Sequence, residues 1–257
     1  MLISELAVID PGAQIGNNVK IGPFCYIGKD VIIGDDCELN SHVVIKGPTT
    51  IGKGNRFFQF ASIGEECQDL KYKGEPTQLI IGDNNTFRES CTIHRGTIQD
   101  NSLTQIGSNN LFMAYTHVAH DCMVGSHCIL ANNASIAGHV HVGDWAILGG
   151  MTAVHQFCHI GAHSFVAASS LILKDIPPYV MASGSAAKPF GLNSEGLKRR
   201  GFSPEIISEI KRAYKVVYRQ GNSVDEAIAA LAKLAEQHPE IKLFSDFIQA
   251  SSRGIIR

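Results

Sequence analysis

The sequence lacks both an apolar run long enough to cross a membrane and any marked imbalance of charge. Its 22 basic and 24 acidic residues give a formal net charge of −2, which offers no electrostatic reason to expect a nucleic-acid or membrane-surface partner. The first residues, MLISELAVIDPG, lack the basic and apolar segments of a signal peptide. We therefore expect a cytoplasmic protein with no membrane span and no nucleic-acid partner.

The sequence also lacks a CxxC pair, although it contains seven cysteines. All seven lie four residues after an aliphatic or aromatic repeat position, where other copies of the repeat carry Ala, Val or Ser: Cys25, Cys37, Cys67, Cys91, Cys122, Cys128 and Cys158. A free cysteine at such a position behaves as a small hydrophobic residue. The pattern predicts buried thiols rather than disulfides or zinc ligands, and we expect no metal and no cofactor.

What the sequence does contain is a six-residue repeat. In residues 113–156 an aliphatic residue recurs every six positions, at Val118, Val124, Leu130, Ile136, Val142, Leu148 and Val154. Neither an α-helix nor a plain strand has this period, whereas hexapeptide repeats are typical of a parallel β-helix. Three hexads form one triangular coil, so residues about eighteen apart should stack on each other. The flat apolar faces of such a prism favour a threefold assembly of parallel chains.

The repeat begins at Ile9, ends at Ile172 and is interrupted at 65–78 and at about 96–105. An insertion must leave the coil as an external loop, and such loops often carry function. Glycines that follow the aliphatic residue, such as Gly16, are expected at crowded corners with positive φ. After residue 188 the signals are helical, with capping residues before the first three runs and Pro239-Glu240 at the start of the last. The sequence thus predicts a β-helix domain at 1–188, with an external loop at 65–78, and an α-helical domain at 189–257.

Histidines cluster on a few columns of the predicted prism. The eighteen-residue rule stacks His120 with Gly138 and Gln156, His117 with Ser135 and Ala153, and Asp121 with His139 and Phe157. A base beside an exposed backbone N–H is the minimum equipment for acyl transfer. Adjacent residues on a strand point to opposite faces, so a hydrogen bond between His120 and Asp121 would require a turn. The role of Asp121 stays open.

Two other functions remain open at this stage. The histidines could form a zinc site shared between subunits, as in a lyase of the carbonic anhydrase type. The chain could also be a trimeric scaffold that has kept the prism without the chemistry. The basic run Lys198-Arg199-Arg200, at the end of a predicted helix, is equally well explained as a favourable charge cluster at a helix C-terminus.

Several motifs in a fixed order resemble one enzyme family: QDLKY at 68–72, HRGT at 94–97, HVAHD at 117–121, ILANNASIAGHV at 129–140, GGMTAVHQF at 149–157, DIPPYV at 175–180 and NSEGLKRRGFS at 193–203. The sequence resembles the acyl-carrier-protein-dependent UDP-N-acetylglucosamine O-acyltransferases, which begin lipid A synthesis in Gram-negative bacteria. The resemblance covers essentially the whole chain. It implies a left-handed parallel β-helix, mainly β, with a C-terminal α-helical domain, in a homotrimer whose sites lie at subunit interfaces.

The resemblance also implies a role for each site residue. His120 is the general base, and the Gly138 N–H is the oxyanion donor. Asp69 and Lys71, with Gln68 beside them, hold the sugar, and the pocket is completed by His117, His139, His155 and Gln156. Arg200 and Arg199 meet the diphosphate, and the resemblance leaves open which subunit supplies each of them. Asn193 and Glu195 lie near the uridine. Ala168 ends the groove for the acyl chain.

The expected activity is transfer of a (R)-3-hydroxyacyl group from acyl carrier protein to the glucosamine 3-hydroxyl of UDP-N-acetylglucosamine. A related acyltransferase of the same pathway carries an extra N-terminal uridine-binding domain, for which the early start of the repeats leaves no room. Retention of HVAHD, Gly138 and the basic run argues against a scaffold without chemistry.

Overall fold

Short strands separated by turns fill residues 2–192 of the computed structural model, which describes residues 2–257. The strands of the first half are β1 (Leu2–Ile3), β2 (Val8–Ile9), β3 (Gln14–Ile15), β4 (Lys20–Ile21), β5 (Tyr26–Ile27), β6 (Val31–Ile33), β7 (Glu38–Leu39), β8 (Val44–Ile45), β9 (Thr49–Ile51), β10 (Arg56–Phe57), β11 (Ser62–Glu65), β12 (Gln78–Ile81), β13 (Thr86–Phe87) and β14 (Thr92–His94). Those of the second half are β15 (Leu103–Ile106), β16 (Leu111–Phe112), β17 (His117–Val118), β18 (Met123–Val124), β19 (Ile129–Leu130), β20 (Ser135–Ile136), β21 (His141–Val142), β22 (Ile147–Leu148), β23 (Ala153–Val154), β24 (His159–Ile160), β25 (Phe165–Val166), β26 (Leu171–Ile172), β27 (Val180–Ser183) and β28 (Lys188–Leu192).

Up to β26, every third strand belongs to the same sheet, and all strand pairs are parallel until β28 pairs antiparallel with β27. The first sheet starts with β1 and β4, the second with β2 and β5, and the third with β3 and β6. The three sheets are the faces of a triangular prism. We call its corners edge 1–2, edge 2–3 and edge 3–1, after the sheets that meet there. The predicted fold class, a left-handed parallel β-helix with C-terminal helices, is confirmed.

The aliphatic repeat positions fill the interior of the prism. Val118 pairs with Ile93 on one side and with Ile136 on the other, and all three are fully buried. This register confirms the stacking of residues eighteen apart wherever no insertion intervenes. The seven cysteines are also buried, with free thiols, as their position in the repeat predicted. Stacked apolar side chains, buried from the second coil onward, are the main stabilising contribution to such a prism.

The turns differ from the prediction in one respect. Among the glycines that follow an aliphatic repeat residue, Gly64 has a positive φ of 74°, but Gly16 and its equivalents at 22, 28, 34 and 52 do not. The left-handed residue comes two positions later, as at Asn18, and is rarely glycine. Crowding explains most of these glycines, because a Cβ on Gly16 would lie 2.5 Å from the Asp35 carboxylate of the next coil. The expectation of positive φ was therefore wrong for most of them, while the expectation of little room was right.

Two insertions leave the coil between strands. The first external loop is residues 66–77, between β11 and β12, and the second is residues 95–102, between β14 and β15. Both loops connect the second sheet to the third, so they emerge together at edge 2–3. This edge is the one that carries His120, which lies between β17 and β18.

Four helices follow the strands: α1 (Ser194–Arg199), α2 (Pro204–Tyr218), α3 (Val224–Gln237) and α4 (Pro239–Ala250). The first three starts agree with the capping signals: Asn193 caps α1, Ser203 caps α2 with proline in its first turn, and Ser223 caps α3 in a capping box with Glu226. α4 has no side-chain cap and begins at the predicted Pro239. None of the helices among residues 2–257 is both long and apolar enough to cross a membrane. The division into domains at 188/189 stays a prediction; residue 188 begins the strand that precedes the helices.

Candidate active site

The candidate site is organised around a turn that joins His120 to Asp121. Asp121 has a φ of 57°, in the left-handed region, and this turn brings its Oδ2 within 2.8 Å of His120 Nδ1. The turn that the sequence required for a direct contact is therefore present. Asp121 is almost fully buried, whereas the His120 side chain keeps 17% of its surface exposed. The carboxylate lies behind the imidazole, and the imidazole faces the solvent side.

The second external loop holds the Asp121 carboxylate in place. Thr97 donates its backbone N–H to Oδ1 at 2.8 Å and its hydroxyl to Oδ2 at 2.6 Å. The Asp121 N–H in turn donates to the Thr104 hydroxyl at 2.8 Å. Burial by itself raises the pKa of Asp121, but the hydrogen bonds from His120 and Thr97 outweigh burial and hold the pKa below its ordinary value. Asp121 is therefore a carboxylate anion at neutral pH.

This anion fixes the proton arrangement of His120. A carboxylate only accepts hydrogen bonds, so Nδ1 of His120 must carry the hydrogen that points at Asp121. In the neutral imidazole, Nε2 is then the unprotonated nitrogen with a free lone pair. His120 is thus prepared to accept a proton at Nε2, the arrangement a general base requires.

Gly138 lies directly against the imidazole of His120. A Cβ built on Gly138 would lie 2.5 Å from Cε1 and 2.7 Å from Nε2 of His120, so only glycine leaves room for the ring. Among residues 2–257 the Gly138 N–H donates to no backbone or side-chain acceptor. A free N–H next to the base is available to a developing oxyanion. The structure thus places the two predicted catalytic groups side by side.

Two adjoining cavities open beside His120. One, of about 500 Å³, is lined by Gln68, Asp69, His117, Ala119, His120, Ser135, Ile136, Ala137, Gly138, Ala153, Val154 and Gln156. The other, of about 510 Å³, is lined by Asp69, Lys71, Gln99, Asp100, His120, His139, Gln156 and Phe157. Asp69, His120 and Gln156 border both cavities. Most of the predicted sugar and acyl residues therefore converge on one region.

The histidines around the base are held by separate partners. His117 Nδ1 lies 2.7 Å from the Thr92 hydroxyl, and its ring meets that of His94 edge-on. Burial lowers the pKa of His117, and the neighbouring His120 lowers it further. Burial also lowers the pKa of His94 to about 4. Both rings are consequently neutral at physiological pH, so they can donate or accept hydrogen bonds without adding charge beside the base.

His139 lies on the second cavity, in contact with the second external loop. Its Nδ1 is 2.9 Å from the Asp100 carboxylate, and its ring stacks on Phe157 with centroids 4.4 Å apart. His120, Asp121 and His139 have potential ligand atoms within 4.8 Å of one another, so they could in principle hold a metal ion. Oδ2 of Asp121, the oxygen near both rings, already accepts hydrogen bonds from the Thr97 hydroxyl and from His120, and a metal bound to this oxygen would have to displace one of those donors.

The remaining predicted residues lie elsewhere on the chain. Asn193 is buried, accepts the N–H of Gly196 at the start of α1 and donates to the His163 carbonyl. Arg200 donates to the Trp145 carbonyl at 2.9 Å, and its guanidinium lies 5.2 Å from the centre of the Trp145 ring. Trp145 and His163 are on edge 3–1, the turn between the third and first sheets.

Four further predicted residues are also outside the two cavities. Glu195 pairs with Lys198 on the surface of α1, and Arg199 is exposed beside them. Ala168 is exposed on edge 1–2, in the turn between β25 and β26. His155 lies next to Gln156, with its Nδ1 3.3 Å from the Arg253 guanidinium. A single chain therefore does not bring the predicted nucleotide residues or the predicted end of the acyl groove to His120.

The sequence reasoning missed several residues that hold the site histidines and Asp121 by hydrogen bonds: Thr92, Thr97, Asp100 and Thr104. Thr97 belongs to the HRGT motif, which marked the segment without assigning the residue a role. Asp100 follows it on an insertion, where the eighteen-residue rule does not apply. Thr104 is recognisable only because its hydroxyl accepts the Asp121 N–H in the structure.

Replacing Asp121 by asparagine should lower kcat by about 10- to 100-fold. The amide can direct its NH₂ toward His120 Nδ1 and so favour the wrong tautomer, with the hydrogen on Nε2. The measurement is kcat for the purified variant, compared with Asp36→Asn, a left-handed turn residue in an earlier coil. A normal kcat in Asp121→Asn would contradict an orienting role for this carboxylate.

A β-helix of hexapeptide repeats that carries a histidine base beside a free backbone N–H defines a hexapeptide-repeat acyltransferase. Sequence comparison agrees: a family described as bacterial transferase hexapeptide (six repeats) matches residues 12–47 and 103–138. The family described as Udp N-acetylglucosamine O-acyltransferase, domain 2, matches residues 175–256.

Full-length relatives identify the family. The acyl-[acyl-carrier-protein]--UDP-N-acetylglucosamine O-acyltransferase of Stutzerimonas stutzeri is 56% identical over 256 residues, covering 100% of this chain and 99% of the relative. The solved UDP-N-acetylglucosamine O-acyltransferase of Moraxella catarrhalis superposes with a TM-score of 0.98 at 51% identity, covering 100% of both chains. The UDP-N-acetylglucosamine acyltransferase of Francisella novicida superposes with a TM-score of 0.98 at 47% identity, covering 100% of this chain and 94% of that one. The chain belongs to the UDP-N-acetylglucosamine O-acyltransferase family and is an acyltransferase, as the motifs predicted.

Proposed function

We propose that the protein transfers a (R)-3-hydroxyacyl group from acyl carrier protein to the 3-hydroxyl of UDP-N-acetylglucosamine, the first step of lipid A synthesis, in the cytoplasm. The observation that carries the mechanism is the arrangement of Asp121, His120 and Gly138. An ionised carboxylate leaves Nε2 of His120 free to accept a proton, next to an unpaired backbone N–H. Family membership supports the two substrates, because the names of the relatives state both an acyl carrier protein and UDP-N-acetylglucosamine.

The chemical steps follow from this geometry. Nε2 of His120 accepts the proton of the sugar 3-hydroxyl while that oxygen attacks the thioester carbonyl. The Gly138 N–H donates to the oxyanion of the tetrahedral intermediate. The carbon–sulfur bond then breaks, and the proton on Nε2 passes to the departing thiolate of the carrier protein. Asp121 stabilises the imidazolium between these two proton transfers without itself becoming protonated.

The sugar and nucleotide are assigned to the remaining residues. Gln68, Asp69 and Lys71 of the first external loop border the cavities and would bind the glucosamine hydroxyls and a phosphate. His117, His139, His155 and Gln156 would complete the pocket. Asn193, Glu195, Arg199 and Arg200 would bind the uridine and the diphosphate, for which guanidinium groups are well suited.

The position of Arg200 supports a homotrimer with shared sites. Its partners Trp145 and His163 are on edge 3–1, whereas His120 is on edge 2–3, so one whole sheet separates them. A threefold assembly of parallel prisms can place edge 3–1 of one chain beside edge 2–3 of its neighbour. In that assembly the base and the nucleotide residues of one site come from different subunits.

The function is tested with purified protein, UDP-N-acetylglucosamine and a series of 3-hydroxyacyl carrier-protein thioesters. We expect a 3-O-acylated sugar nucleotide, formed equally well in the presence of a chelator. Absence of transfer from every thioester would overturn the proposal. Bound zinc together with chelator-sensitive hydration of carbon dioxide would instead support the lyase alternative.

Replacing Ala168 by methionine should shorten the preferred acyl chain. Ala168 lies in the column of Gly150 and Asn132, and we propose that it bounds the groove of a donor with roughly twelve to fourteen carbons. A buried methylene contributes about 0.8 kcal/mol, so loss of room for two of them should change selectivity about tenfold. Ala168→Met should therefore prefer a donor of about ten carbons, with an unchanged KM for the sugar nucleotide.

The measurement is kcat/KM for each thioester length. Ala186→Met is the informative comparison, because Ala186 is exposed on the connector that follows the last coils. If Ala186→Met changes the preferred length and Ala168→Met does not, the groove ends at the connector and Ala168 is not its limit.

A further inference from the structure

The first external loop forms one wall of the candidate site, and its conformation must be held by something other than the coil. Its backbone has left the β-helix between β11 and β12, so no ladder of strands supports it. Gln68 and Asp69 face the first cavity, and Asp69 and Lys71 face the second. Residues that order this loop therefore control where Asp69 is presented.

Arg95 lies between the loop's base and its middle. Its backbone N–H donates to the Glu65 carbonyl at 3.0 Å, and its side chain donates to the Gly64 carbonyl, both at the end of β11, just before the loop begins. Its second terminal nitrogen donates to the Tyr72 hydroxyl at 3.1 Å. One guanidinium thus joins the coil to the middle of the loop.

Tyr72 transmits this anchorage to Asp69. The Tyr72 N–H donates to the Asp69 carbonyl at 3.0 Å, closing a tight turn that starts at Asp69. Inside that turn the Lys71 N–H donates to Asp69 Oδ1 at 2.9 Å. The Tyr72 hydroxyl also donates to the Glu75 carbonyl at 3.0 Å, on the returning half of the loop. The tyrosine hydroxyl is accordingly the point where the loop and Arg95 meet.

The burial of Arg95 gives this contact its significance. Arg95 is 8% exposed, and among residues 2–257 its guanidinium forms no direct salt bridge. The Glu65 carboxylate is near enough to interact with it electrostatically but pairs with Lys46 at 2.8 Å. A buried cation without a contacting counter-ion is costly unless hydrogen bonds compensate it, and an apolar residue of similar size would fill the space at lower cost. A guanidinium retained here satisfies a geometric requirement, because its fork reaches two acceptors in fixed directions.

We propose that Arg95 and Tyr72 are positioning residues for the sugar, forming a latch that holds the turn of Asp69 against the cavity. The proposal rests on the proposed function, because it assumes that Asp69 binds UDP-N-acetylglucosamine. Neither residue lines the cavities, so the latch acts on affinity for the sugar through Asp69 and leaves the acyl donor and the proton transfer unaffected.

The test measures equilibrium binding of UDP-N-acetylglucosamine, together with kcat and both KM values, for the full-length protein. Tyr72→Phe removes only the hydroxyl and should weaken sugar-nucleotide binding about tenfold, with kcat and the KM for the acyl donor within about twofold. Arg95→Lys should behave in the same way, because an ammonium cannot reach both acceptors. The matched control is Tyr26→Phe, which removes a hydroxyl bonded to Asp10 at 2.6 Å in the first coils and should leave binding unchanged.

A double-mutant cycle separates the latch from a general loss of stability. In an Asp69→Ala background, Tyr72→Phe should weaken binding much less than it does alone, because the main residue through which it acts is gone and only Gln68 and Lys71 of the loop remain to be positioned. Additive losses, or normal affinity in both Tyr72→Phe and Arg95→Lys, would overturn the latch. If the wild-type protein itself bound no UDP-N-acetylglucosamine, the proposed function would be wrong and the latch would fall with it. If the wild-type protein binds UDP-N-acetylglucosamine and both Tyr72→Phe and Arg95→Lys bind it equally well, only the latch is rejected and the proposed function stands.

Discussion

Replacing His120 by alanine is expected to lower kcat by about 10²- to 10⁴-fold, the usual contribution of a positioned general base. The variant loses the imidazole that bonds to the Asp121 carboxylate at 2.8 Å and fills the space where a Cβ on Gly138 would lie. Binding of the sugar nucleotide should change much less, because the loop residues and His117 remain. The measurement is single-turnover acyl transfer at saturating substrates, combined with equilibrium binding of UDP-N-acetylglucosamine.

The control for His120→Ala is His42→Ala. His42 also occupies a turn of the prism, but its ring lies between Phe24 and Phe60 in earlier coils, away from both cavities. Its loss should leave kcat unchanged. Near-normal turnover in well-folded His120→Ala would rule out His120 as the base. Equal losses in both variants would indicate a general effect of removing a turn histidine.

The sequence was sufficient to predict the columns of the prism, because the repeat sets them physically. A strict six-residue spacing fixes which side chains point inward, and three hexads per coil fix what lies next along the axis. The observed pairing of His117 with Ser135 and of Ser135 with Ala153 follows directly. The contact of Gly138 with the His120 ring follows for the same reason.

The contacts that orient the base could not be predicted in this way. The bond between His120 and Asp121 depends on the left-handed conformation of Asp121, and a period of hydrophobic residues carries no information on φ. The hydrogen bonds from Thr97, and the contact of Asp100 with His139, come from an insertion whose path is set by its own side chains. The same is true of Arg95, whose role depends on a partner in the other loop.

The edge positions explain why the nucleotide residues were predicted from a resemblance and not from the columns. Arg200 reaches edge 3–1 from the C-cap of α1, outside the repeats, so no stacking rule relates it to His120 on edge 2–3. Arg200 and His120 come close to each other only across the interface between two subunits of the proposed trimer. Assembly is a property of surfaces, which the spacing of buried residues does not describe.

Replacing Gly138 by alanine should lower kcat by about 10²-fold, because the added methyl group occupies the place of the base. The new Cβ would lie 2.5 Å from His120 Cε1, closer than carbon atoms can approach, so the imidazole must move. A displacement of about 1 Å is enough to cost about 10²-fold in rate. The φ of Gly138 is not in the left-handed region, so the backbone itself accepts alanine and the fold should be preserved.

Two comparisons make the Gly138→Ala result decisive. Gly28→Ala adds the same methyl group several coils earlier, where the nearest atom is 3.4 Å away, and it should leave kcat unchanged. In a His120→Ala background, Gly138→Ala should cost far less than it does alone, because the ring it displaces is absent. Alanine keeps the backbone N–H, so the oxyanion donor is still present and the defect belongs to the displaced base. Full activity in Gly138→Ala would show that the catalytic step does not depend on the position of His120 against this glycine. An equal loss of kcat in the wild-type and His120→Ala backgrounds would show the same.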